Sequence, residues 1–185
     1  MTNLIPKPEK LKKNEIIISV IPVILLFGAM NSVRVHGAIN QDIASLMTFC
    51  ACYMFILMLP QKSLEFLFVR FTRPYNFIIW LIPSLILFFN YYVILNQPAL
   101  AKDVGQGSLT FFRIPFWFLI YKNLMRVVHI VFYGIEPQLM SYSGPVIIDE
   151  DLEREPIDSD KYFSLIVGLG YIIVLIILYN STPEF

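Results

Sequence analysis

Charge is scarce in this chain. Only 15% of its 185 residues are Asp, Glu, Lys or Arg, while 57% are hydrophobic and the mean hydropathy is +0.65. A soluble domain carries about 25% charged residues, so water is not the expected surroundings of most of this polypeptide. Cysteine is scarcer still, at Cys50 and Cys52. Two residues apart, their side chains point about 200° apart on a helix and cannot bridge to each other. That excludes a disulfide framework, and no CxxC supplies a redox pair. The two read as small packing residues. Histidine occurs only at His36 and His129, and no HExxH or paired His-Cys set accompanies them. No P-loop, GxSxG or dinucleotide fingerprint is present. Net charge is zero, and no nucleic-acid partner is expected.

What fills the chain instead is five apolar runs, at 16–33, 43–59, 76–95, 109–134 and 162–179. About 20 apolar residues in a helix cross about 30 Å of hydrocarbon. None of the runs alternates with period two, which argues against a barrel, and helices are the other way to satisfy a backbone in lipid. The expectation is an all-α, polytopic integral membrane protein of about five transmembrane helices. The alternative is four spans and an interfacial helix, since 63–76 mixes apolar and basic residues and suits a membrane surface. Pro22, Pro83 and Pro115 fall inside runs, where lipid tolerates them as kinks. The lysines before the first run resemble a signal peptide's basic region. The run is long for one and no A-x-A site closes it, so it reads as a retained helix.

The charges that exist are segregated. Eleven Lys and Arg fall on one side of the predicted spans and three, Arg34, Lys102 and Arg113, on the other. The positive-inside rule then places the N-terminus in the cytoplasm or an organelle matrix, and five spans place the C-terminus opposite. The segments follow: a basic arm at 1–15, four helices with short loops over 16–135, an acidic inner loop at 136–161, a fifth helix at 162–179 and a tail at 180–185. Eight of the fourteen acidic residues lie in 136–161. Among them, Asp149, Glu150, Asp151, Glu153 and Glu155 lack the spacing and central glycine of an EF-hand. They read as a solvated loop, repelled by anionic lipid and open to a basic partner.

One stretch breaks the apolar pattern. YKNLMRVVH, residues 121–129, sits within the fourth run. On a helical wheel Lys122, Arg126, His129 and Tyr133 fall within about 60° of one another, and Arg113 lies opposite. Two readings fit this stripe: a snorkelling basic end on lipid phosphates, or a buried face meeting other helices or a solute. No acid lies within the spans, and the nearest flanking acids are Glu65 and Glu136. His36 and His129 fall at opposite membrane faces, about 30 Å apart, and cannot share a haem iron. Neither a cofactor nor a metal is expected.

The reading that these absences favour is non-catalytic. It is a small accessory subunit that sits in the lipid bilayer and packs against other membrane-protein subunits of a larger complex. The alternative is a transporter or channel for an anionic or lipid-like solute, with Lys122, Arg126 and His129 along its path. A lipid-modifying enzyme ranks last, for want of a nucleophile or an acid–base pair.

Overall fold

A computed structural model describes residues 13–36, 39–58, 74–137 and 157–184. These form helices and no strand: α1 (Lys13–His36), α2 (Gln41–Met58), α3 (Pro74–Leu95), α4 (Pro98–Val104), α5 (Gln106–Tyr133) and α6 (Asp158–Asn180). The basic residues before Lys13, the proposed surface segment up to residue 73 and the acidic stretch at 138–156 lie outside the described residues. Asp149, Glu150, Asp151, Glu153 and Glu155 are therefore not placed.

Local chemistry sets the helix ends. Asn40 opens α2, its side-chain oxygen accepting the Ile43 N–H at 2.9 Å, as a capping asparagine does. Pro98 starts α4, where its missing N–H costs nothing. Gly134 ends α5 with φ 70° and ψ 8°, its N–H bonded to Ile130 O at 2.8 Å. A residue with a side chain is strained in that left-handed conformation, so glycine suits the stop. The short helix α4 was not foreseen; its two buried residues, Leu100 and Ala101, are too few to make an apolar run.

The three prolines lie inside α1, α3 and α5, as an apolar setting allows. α1 packs on α2 and α3, these two pack on α5, and α6 packs chiefly on α5. α4 fills the space between α2, α3 and α5. Trp80, Leu87, Phe112 and Phe118 are enclosed at the centre. Phe55 of α2 meets both Phe111 and Phe118 of α5, with ring centroids 5.6 and 5.7 Å apart. Phe88 pairs with Phe116, and Tyr91 sits under Arg113, so α3 and α5 run antiparallel. Phe118 stacks on Tyr171 and His129 meets Phe163, so α5 and α6 are antiparallel too.

Among the described residues, three helices are long and apolar enough to cross a membrane: Phe77–Leu95, Gln106–Tyr133 and Asp158–Asn180. That is fewer than the five expected. The described apolar stretches of α1 and α2 are Val20–Val33 and Gln41–Ile56, which rise only about 21 and 24 Å. The outward surface agrees with lipid contact. On α6, Leu165, Leu169, Ile172, Ile173 and Ile176 are exposed, while Phe163, Val167 and Tyr171 face α5. A continuous apolar face of this kind is a liability in water and is the ordinary exterior of a helix in hydrocarbon.

Candidate functional site at the seam of α5 and α6

The stripe on α5 does not form one exposed polar face. Lys122 is 3% exposed and His129 is buried, whereas Tyr133, at the helix end, is 57% exposed. Arg126 is partly buried and makes a two-pronged ion pair with Glu136, through Nε to Oε1 and through Nη2 to Oε2, the latter at 2.9 Å. The His129 Nδ1 lies 3.2 Å from Ile135 O. A carbonyl can only accept, so Nδ1 donates this hydrogen bond.

These two contacts explain much of YKNLMRVVH. After Gly134 the chain doubles back, and Arg126 and His129 hold the returning residues Ile135 and Glu136 against the helix. Such a planar, charge-assisted pair is among the stronger polar contacts and fixes orientation as well as position. The sequence marks Glu136 as a nearby acid. Its engagement with Arg126 depends on the reversal at Gly134, which helical periodicity cannot reveal. Glu65 lies outside the described residues.

The absence of an acid within the spans is corrected by Asp160. It looks like part of the solvated acidic loop, yet it is 0% exposed in the first turn of α6. Its carboxylate accepts the Ile157 N–H at 2.9 Å, and its own N–H bonds Ile157 O at 3.0 Å. The helix thus begins four residues before the apolar run. An acid in the first turn, just ahead of an apolar stretch, was the available signal. Lys122 on α5 and Asp160 on α6 are buried groups of opposite charge, and neither is without a partner in the fold. Asp160→Ala is expected to cost about 0.5–2 kcal/mol through the lost cap. Thermal unfolding in detergent measures this, and an unchanged midpoint would show that the cap is idle.

Aromatic contacts complete the seam. Phe118 stacks flat on Tyr171, with centroids 4.0 Å apart and planes 3° apart. The Tyr121 hydroxyl donates to Ile166 O at 2.8 Å. It reaches that carbonyl through the space that a side chain on Gly170 would fill: a Cβ there would fall on the Tyr121 hydroxyl and ring. Gly170 stands two residues from Gly168, a spacing that lacks the GxxxG period of closely packed helices. Among the described residues, three buried side-chain atoms stay without a hydrogen-bond partner: His129 Nε2, Ser159 Oγ and Arg113 Nε. Among the described residues, no group of three or more His, Cys, Asp or Glu is placed to hold a metal.

On the helical wheel Arg113 points away from the stripe. The structure gives it a different place, at the other end of α5. Its Nη1 donates to Ser181 Oγ at 3.0 Å, Thr182 Oγ1 at 3.3 Å and Leu178 O at 3.4 Å. Its Cζ lies 4.9 Å from the centre of the Tyr91 ring, within cation–π range. Gln106 bonds Thr182 O at 3.0 Å, and the Thr110 and Thr182 hydroxyls are 3.1 Å apart. The C-terminal carbonyls of α6, which a helix leaves unpaired, are thus met by side chains of α5.

Taken together, the described residues form an all-helical fold with three helices able to cross a membrane and a polar seam closed between two of them. No protein family, curated protein or solved structure matches it.

Proposed function

We propose that this chain is a small integral membrane subunit whose role is to pack against other membrane proteins. The observation that carries this is where its charges go. Arg126 is committed to Glu136, and Lys122 and Asp160 are buried and engaged within the fold. What faces outward along α6 is apolar, suited to lipid or to another apolar helix. A solute path needs cations free to meet an anion, and the Arg126–Glu136 pair removes the strongest of these, which weighs against transport.

The same placement withdraws one argument for a partner: the stripe is no longer short of acids. Beside the placement of the charges, what supports the proposal is the apolar exterior and the acidic stretch at 138–156, whose charge suits a basic partner. The reading includes five crossings, with α1 and α2 as the first two. Cys50 Sγ lies 3.7 Å from Pro22 O and Asn90 Nδ2 lies 3.6 Å from Met30 Sδ, so α1 meets both α2 and α3 along its length rather than at its ends. The charge bias then sets the N-terminus in the cytoplasm or an organelle matrix.

Purification in mild detergent is expected to recover an assembly larger than the monomer. A lone, monodisperse 21.5 kDa chain obtained from native membranes would count against the proposal.

A further inference from the structure

We infer that Arg113 binds a phosphoryl anion, at the end of the bundle remote from the Arg126–Glu136 pair. The argument begins with charge. Arg113 takes part in no ion pair among the described residues, although Arg126 on the same helix has a carboxylate on two of its nitrogens. A charge held in a membrane protein without an opposite charge marks a functional position by default.

The nitrogens of the guanidinium differ in what they do. All three of its hydrogen bonds leave from Nη1. Nε is enclosed and has no partner. Nη2 has no partner either, but unlike Nε it is not enclosed. One edge of the group therefore fastens the end of α6, while the two N–H donors of Nη2 have no partner among the described residues. Arginine stays charged at any relevant pH, and its planar fork suits phosphate oxygens.

Depth points to the same ligand. Ser181 and Thr182 directly follow the last residue of α6, so the guanidinium lies level with the place where that helix leaves the hydrocarbon. Lipid phosphates occupy that level. Tyr91 beneath the guanidinium and Ser181 and Thr182 beside it hold the cation in place, so little ordering is needed on binding. The site lies apart from the stripe of Lys122, Arg126 and His129. It rests on the membrane reading, which resistance of the chain to carbonate extraction tests separately.

The test is a lipid titration of the purified full chain in a neutral detergent, followed by native mass spectrometry. Phosphatidylglycerol, diacylglycerol and inorganic phosphate are the three probes. Phosphatidylglycerol is expected to bind the wild type at least about tenfold more tightly than it binds Arg113→Gln, as for a lost charge-assisted hydrogen bond. Binding of phosphatidylglycerol without inorganic phosphate identifies a lipid headgroup as the source; binding of both identifies any phosphoryl anion. Equal affinity of wild type and Arg113→Gln overturns the inference. Should Arg113→Gln fail to fold, the wild type alone decides. Discrimination against diacylglycerol, which lacks the phosphate, upholds the site, and equal binding of the two lipids overturns it.

Discussion

Gly170→Ala is expected to destabilise the fold by about 0.5–1.5 kcal/mol, the net worth of an ordinary hydrogen bond. The new Cβ would fall on the Tyr121 hydroxyl and ring carbon, so the phenol has to leave. It then gives up its bond to Ile166 O and disturbs the neighbouring Tyr171 ring, 6.0 Å away between centroids. Gly170→Val should cost more. Thermal unfolding in detergent reads both. A second substitution separates this collision from a general intolerance of α6: Tyr121→Leu removes the ring and should recover part of the stability lost in Gly170→Ala. Wild-type stability of Gly170→Ala would mean that the two helices are not so closely approached.

Breaking the Arg126–Glu136 pair is the other large effect. Arg126→Met or Glu136→Met alone should cost about 1.5–3 kcal/mol, the range for a hydrogen bond to a charged group. Both side chains are mostly withdrawn from solvent, at 22% and 17% exposure, so each single change leaves a partly buried charge behind. The double substitution removes both charges and should cost less than the two single changes together, with an interaction energy of about 0.5–3 kcal/mol. Strict additivity would mean that the two groups do not act on each other. Should the pair hold the reversal at Gly134, amide exchange at Ile135 and Glu136 will accelerate in either single variant.

The helical class and the positions of α3, α5 and α6 were legible because long apolar runs without alternation have few other solutions. Spacing alone offers a shared helical face for Lys122, Arg126, His129 and Tyr133, but the surroundings of each, buried for Lys122 and His129 and exposed for Tyr133, were not legible in it. Arg126 finds Glu136 only because the backbone turns left-handed at Gly134, and a wheel drawn for one helix ends before that turn. Asp160 was hidden by its company: seven other acids surround it in 136–161, and composition alone assigns all of them to water. α4 was missed because a seven-residue helix closed by Pro98 and Gly105 carries too little periodicity to stand out from a loop. Arg113 was discounted by an angle measured on its own helix. What gives it a role comes from the end of α6, more than 60 residues further along the chain.

α6 leans chiefly on a single neighbour, and that has a bearing on biogenesis. Synthesis delivers α6 after α5, when the earlier helices can already have gathered. Until it arrives, the flank of α5 bearing Lys122 and His129 has nothing from α6 to cover it, and its arrival closes that flank.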